Sequence, residues 1–369
     1  MTVTTADDVD TRTARSARRL ADAPHTSSYS ALSREIREAG LLRRAYGYYL
    51  ATAVGLALAL GGAVTAFVLL GDSWFQLIVA GALGVILTQL AFLAHEASHR
   101  QVFASGPVND RVGRLLANAA VGISYSWWMS KHTRHHANPN HVGKDPDVAN
   151  DVVVFTPEGG REHTGFLAVI TRYQGWLFFP LLTLEGLNLH VTSIRSLLRG
   201  TRADRAVRRR ELATIGVRLA AYVGVLFWAL PPGLALSFLG VQLAVFGVYM
   251  GASFAPNHKG MAMVPEGSRL DFLSKQVLTS RNIRGGWLMN VAMGGLNHQI
   301  EHHLFPSMPR PHLARARRIV REHCATHRMP YTETSLVRSY AIVVAYLNRV
   351  GLAARDPFDC PMRRTMRGY

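Results

Sequence analysis

Cysteine is nearly absent: the 369-residue chain holds two, Cys324 and Cys360. That excludes a disulfide framework and fits a reducing compartment. It also removes the thiolates that iron–sulfur clusters and most structural zinc sites use. Acidic residues are scarce, 24 against 41 Lys and Arg, which leaves a formal charge of +17. The polar, basic N-terminal stretch contains no apolar segment, so no secretory signal peptide is expected. No internal repeat is visible, which sets solenoid architectures aside.

Apolar residues are abundant, 49% of the chain, and they come in long runs. Tyr48 to Leu70 and Phe75 to Ala94 flank the turn Gly71-Asp72-Ser73. Leu212 to Leu230 and Leu234 to Ala255 flank Pro231-Pro232-Gly233. At ~1.5 Å per helical residue, each run can cross a hydrocarbon layer ~30 Å thick. Tyr46, Tyr48 and Tyr49 sit where an interfacial aromatic belt belongs. A basic chain can mark a nucleic-acid binder, but four such runs point instead to a membrane protein with basic loops.

The expected fold is an all-α integral membrane protein, with four transmembrane helices in two hairpins and a helical cytosolic cap holding a dimetal site. Residues 1–44 form a basic N-terminal segment, partly disordered, with a short surface helix over Ser30 to Gly40. Residues 45–327 form the membrane and catalytic body. Residues 328–369 form an amphipathic helix and a basic tail. Val112 to Trp128 is expected to be interfacial or re-entrant, because Arg114, Asn118 and Ser124 interrupt it. Phe166 to His190, interrupted by Arg172, Gln174, Pro180 and Glu185, is expected to lie on the surface. Arg195 to Arg210 is expected to be a solvated basic face. Neither hairpin turn contains Lys or Arg. The positive-inside rule then places both termini in the cytosol of a multi-pass protein of the cytoplasmic membrane.

Three histidine clusters border these runs. His95 and His99 lie four apart in HEASH; His132, His135 and His136 lie in HTRHH; Gln299, His302 and His303 lie in NHQIEHHLFP. Spacings of three and four put side chains on one helical face. Each cluster alone has a bland reading, a solvated helix end. Three in one chain, all on the basic side of the apolar runs, point to a metal site. His258 follows the fourth run as His95 follows the second, at matching depth. The nine candidate ligands are therefore His95, His99, His132, His135, His136, His258, Gln299, His302 and His303, too many for one ion and enough for two. Asp145 and Asp147 are candidates to orient ligand imidazoles, with Asn257 and His298 beside ligands as further outer partners. Trp128, one turn before His132, is a candidate wall of a substrate channel. His141 is read as a loop residue.

A nitrogen-rich set without thiolate suits a first-row redox metal, iron best of all, although a two-zinc cage would instead be hydrolytic. Position favours oxidation: a site at the mouth of transmembrane helices suits a long apolar substrate.

HEASH, HTRHH and QIEHH followed by LFP resemble the histidine boxes of membrane fatty acid desaturases, over roughly Ser28 to His327. The glutamine opening the third box resembles front-end and linoleoyl-CoA-type desaturases. WWMSKHTRHHANPN followed by KDPD resembles actinobacterial acyl-CoA desaturases. The resemblance implies a diiron centre, O₂ as co-substrate, a fatty acyl-CoA or lipid-linked acyl substrate, and removal of two hydrogens to give a cis alkene. Front-end enzymes often carry a fused cytochrome b5 domain. No heme-binding His-Pro-Gly-Gly stretch occurs here, so a separate electron donor is expected, such as a reductase, a ferredoxin or a cytochrome b5-like protein. Membrane hydroxylases and related oxygenases share such boxes and form the alternative. A metal-binding transporter is a distant one, because the runs contain no ionisable residue at mid-depth.

Overall fold

In the computed structural model, which describes residues 26–200 and 205–354, the chain is helical apart from one two-residue parallel pairing and an isolated bridge. The segment expected to be disordered, part of the basic stretch after Arg195 and the basic tail fall largely on residues 1–25, 201–204 and 355–369, outside the described residues.

The first helix, α1 (Thr26–Glu38), covers most of the stretch expected as a short surface helix. It does not simply lie on the surface. Leu32 and Ile36, four apart, form an apolar stripe that is fully buried against Leu273, Ile300 and Leu313.

The long apolar helices follow. α2 (Tyr46–Leu70) has Tyr49 as its only buried residue, and leaves Leu58 71% and Leu69 80% exposed. A helix apolar on all sides and unburied needs an apolar solvent. α3 (Gln76–Ser98) turns back and is half-buried, ending with His95 in its last turn. α4 (Gly106–Arg114) runs into a π-helical segment, Leu115–Val121, and stops at Gly122 with φ +93°. The stretch expected as one interfacial helix is thus broken. α5 (Tyr125–Ala137) starts afresh, capped by Ser124 Oγ, which accepts from Trp127 N at 3.1 Å. That hydroxyl donates to buried Glu211 at 2.6 Å.

After the short α6 (Pro157–Glu162) come α7 (Gly165–Arg199), α8 (Arg205–Ala229) and α9 (Pro232–His258). α9 packs on both α3 and α7. α7 meets it at a glycine crossing. A Cβ on Gly186 would lie 2.2 Å from the Leu243 carbonyl oxygen, and one on Gly247 would lie 2.4 Å from the Gly186 nitrogen. Only two glycines allow the backbones this close.

α10 (Phe272–Thr279), capped by Asp271, leads to β1 (Asn282–Ile283) and α11 (Trp287–Ala292). Gly294 and Gly295, at φ +58° and +83°, then turn the chain into α12 (Gln299–Leu304). α13 (Arg310–Thr326) is rich in arginine, β2 (Glu333–Thr334) pairs with β1, and α14 (Leu336–Ala353) packs on α7 and α9.

By length and composition, six helices among the described residues can cross a membrane. They are the four expected spans plus α7 and α14.

Inside this frame, Arg310 at the start of α13 pairs with Glu96 on α3, both about 2% exposed. Arg310 also sits over the Tyr48 ring, and its backbone N–H donates to Tyr49 Oη at 3.2 Å. The pair ties α2, α3 and α13 together. Removing one partner strands a buried charge. Arg310→Met is expected to cost about 3–5 kcal/mol of stability, read from denaturant unfolding in detergent, and the double variant Glu96→Met/Arg310→Met to recover most of it.

Candidate metal centre

Four helices deliver the histidines to one place. α3 and α9 supply His95 and His258 at their ends, with His99 just beyond α3. α5 is one long face, on which i, i+3 and i+4 spacing aligns His132, His135 and His136. α12 is a short buried helix carrying Gln299, His302 and His303.

The imidazoles fall into two groups. His95, His99, His132, His136 and His302 bring one nitrogen each within 4.8 Å of one another, and so do His135, His258 and His303. Neighbours in sequence divide between the groups: His135 and His136 go to different groups, and so do His302 and His303. The rings of His136 and His303 stack across the divide at 4.2 Å.

Nitrogens face nitrogens. His132 Nε2 lies 2.9 Å from His95 Nε2 and 2.8 Å from His99 Nε2. Neutral rings have one N–H each, so such a cluster cannot satisfy itself by hydrogen bonding. Both ring nitrogens of His136, and the Nε2 atoms of His302 and His303, are buried without a partner. Orphaned lone pairs converging on a point fit a cation; two ligands at right angles, ~2.0–2.1 Å from one ion, sit ~2.9 Å apart. Burial holds the His99 imidazole down at about 3, and holds His132, His136, His302 and His303 well below the usual range, with neighbouring histidines adding to the effect. These rings are therefore neutral at pH 7, the form that binds metal.

In the three-histidine group each outer nitrogen is fixed. His135 Nδ1 donates to Asp145 at 3.0 Å, His303 Nδ1 to Gln276 Oε1 at 2.9 Å, and His258 Nδ1 to the Thr279 carbonyl at 3.0 Å. Each bond sets the tautomer that leaves Nε2 as the inward lone pair. Gln299 places its amide 2.9 Å from His258 Nε2, so an amide rotation brings its oxygen to the same point. This group can hold a cation with three imidazoles and an amide.

The structure places the other candidates unevenly. Asp147 lies 3.4 Å from His135 Nδ1 and 2.8 Å from Lys131 Nζ. Asn257 turns its amide back to the Ser253 carbonyl at 2.9 Å. His298 is buried but belongs to neither group. His141 donates to the Val142 carbonyl. Trp128 stacks on His132, ring centroids 4.9 Å apart. It lines an apolar pocket shared with Ala91, Phe92, His95, Met250 and Phe254.

Gln276 was not among the candidates. Besides holding His303, it donates to the His136 carbonyl at 2.8 Å. Its signal is faint: a polar residue three after Leu273 and one before Val277, in a short helix that is mostly buried. Glu301 was also passed over. Its buried carboxyl, which burial pushes up to about 7, accepts from Asn282 Nδ2 at 2.7 Å and Tyr331 Oη at 2.8 Å, and so pins α12 to β1.

Residues 72–335 match the family model described as fatty acid desaturase. The chain belongs to the fatty acid desaturase family. The desaturase is 27% identical to a Delta(8)-fatty-acid desaturase of Helianthus annuus over 350 residues, covering 89% of this chain and 74% of that protein. It is 31% identical to an acyl-lipid (9-3)-desaturase of Physcomitrium patens, over 73% of this chain and 52% of that one. It is 28% identical to a Delta(6)-fatty-acid desaturase of Caenorhabditis elegans, over 88% and 74%. The chain is thus an oxidoreductase of the desaturase type, and its apolar helices fit a membrane protein.

Metal titration of the purified desaturase is expected to saturate at two divalent ions per chain. Gln276→Leu, which frees the His303 ring, is expected to weaken binding by about 10–100-fold, measured by chelator competition.

Proposed function

We propose that the desaturase holds two irons and uses O₂ and two electrons to insert a cis double bond into a fatty acyl chain at the membrane surface. The observation that carries this is the convergence of eight imidazoles in two groups, six buried and two, His99 and His136, half-buried, beside an apolar pocket whose wall includes one of them, His95. His95, His99, His132, His136 and His302 hold one ion. His135, His258, His303 and Gln299 hold the other. Iron is preferred to zinc because the family is oxidative and zinc has no redox chemistry.

When bound, a metal pair would supply, with O₂, two electrons and two protons, the oxidising power to take two hydrogens from adjacent carbons, giving an alkene and two waters. The chain's own residues do the rest. Neutral imidazoles offer lone pairs, and Asp145, Gln276 and Thr279 keep them aimed. Trp128, Phe254 and Met250 give the acyl chain an apolar bed that excludes water. His95 belongs to both the pocket wall and the five-histidine group, so a chain lying in the pocket would run beside the residues that would hold one of the ions.

The relatives named Delta(6) and Delta(8) favour a double bond near the carboxyl end, on an acyl chain carried by coenzyme A or a lipid. Electrons come from a separate donor protein.

Four spans in two hairpins remain the favoured topology, with termini and metals on the cytosolic side. α7 begins beside the loop that follows α5, where Gln174 bonds the Val154 carbonyl at 2.9 Å. α7 is followed by α8, whose Glu211 bonds Ser124 at the start of α5. A helix with both ends on the histidine side need not cross.

Expression in a host of known lipid content, followed by fatty acid profiling, tests the activity. Wild type is expected to produce a new cis-unsaturated acid, and His303→Ala none. An alcohol in its place would favour the hydroxylase alternative, and profiles identical for wild type and variant would sink the oxidative assignment.

A further inference from the structure

The two metal groups are unequal. Five imidazoles define one, while the other has three and an amide, so its integrity depends more heavily on each member. His258 is the most exposed to disturbance, because it is the last residue of α9 and follows a proline by two.

Pro256 breaks the end of that helix in a specific way. Lacking an N–H, it leaves the Ala252 carbonyl without its helical donor. Tyr340 Oη, from α14, donates to that oxygen at 2.8 Å. The Pro256 carbonyl in turn accepts from Ser339 Oγ at 2.7 Å and from Arg281 Nε at 2.8 Å. Arg281 Nη2 donates to the same oxygen and, at 2.8 Å, to the Lys259 carbonyl. The Arg281 backbone N–H donates to the Asn257 carbonyl at 2.8 Å. One arginine therefore grips carbonyls on both sides of His258.

Arg281 is 1% exposed, and no carboxylate pairs with it among the described residues. A buried cation without an anion is costly. Here it faces the negative end of the α9 dipole, and its planar fork spans two carbonyls that a lysine ammonium cannot span together. A glycine or asparagine cap would end a helix without burying a charge. What the guanidinium adds is a fixed geometry for residues 256–259.

The same short stretch reaches the third histidine cluster. Thr279 holds the His258 ring, and Asn282 accepts from Ile300 N at 2.9 Å through Oδ1 and donates to Glu301 through Nδ2. Residues 279–282 thus form a strap from the end of α9 to α12.

We propose that Arg281 is a positioning residue for His258, and that through it the strap 279–282 sets the occupancy of the three-histidine metal site without touching either metal. This rests on the two-metal reading above.

The test compares the full-length desaturase with Arg281→Met, Arg281→Lys and His258→Ala, each reconstituted with ferrous iron in detergent. Iron per chain is measured by elemental analysis, and the two environments by Mössbauer spectroscopy. Wild type is expected to hold two irons, and His258→Ala and Arg281→Met one each, with the same environment lost in both. Arg281→Lys is expected to bind the second iron about 10–100-fold more weakly than wild type, the conservative change failing because charge alone does not reproduce the fork. Two irons of wild-type affinity in both Arg281 variants would overturn the proposal while leaving the two-metal reading intact. Fewer than two irons in wild type would overturn that reading, and the proposal with it. Loss of the apo fold in both Arg281 variants, with His258→Ala folding normally, would also overturn it, making Arg281 a general support of the fold.

Discussion

Everything in this molecule answers to one constraint: neutral imidazoles must be kept out of water with their lone pairs pointing at each other. Left alone, such a cluster is unfavourable, because the nitrogens gain no donors when they lose hydration. It persists only if the surrounding frame fixes the rings or a cation occupies the gap. The frame here consists of helix ends, where a side chain is held by a rigid rod yet lies outside the apolar layer. α3 carries His95 in its last turn, α9 ends on His258, and the short buried α12 is held in place by Asn282 and Tyr331 through Glu301. The apolar pocket beside His95 follows from the same arrangement, since the residues one turn deeper on α3 and α9 are the apolar ones a membrane helix must have.

Much of this was legible in the sequence, and the reason is physical. Apolar solvent demands contiguous apolar residues, so the spans are written as runs. Helical periodicity demands polar residues three and four apart, so the walls are written as HEASH, HTRHH and QIEHH. Convergence could be argued from charge asymmetry, because even crossings return the chain to one side. His258 was legible only through depth, by its match to His95.

What escaped depends on contacts between distant residues. Gln276 and Thr279 act on rings 27 and 21 positions away, and the Glu96–Arg310 pair spans 214. No local pattern encodes such partners. The burial of α1 was missed because a single apolar pair, Leu32 and Ile36, is a weak signal in an otherwise polar segment. The apolar length of α7 was underrated because Arg172, Pro180 and Glu185 look like interruptions, yet the helix runs through all three. Asn257 and His298 adjoin candidate ligands in sequence, but Asn257 donates to the Ser253 carbonyl and His298 belongs to neither histidine group.

The division of His135 from His136, and of His302 from His303, has one more implication. In each pair the two rings sit 5.9 and 5.8 Å apart, and each pair is joined by a single peptide bond. A trans peptide bond fixes neighbouring Cα atoms ~3.8 Å apart, so the two groups are tied together at two places along the backbone, while the packing that selects each side-chain rotamer decides which way the rings face. A shift of α5 or α12 therefore reaches both groups together, since each helix carries at least one ring of each.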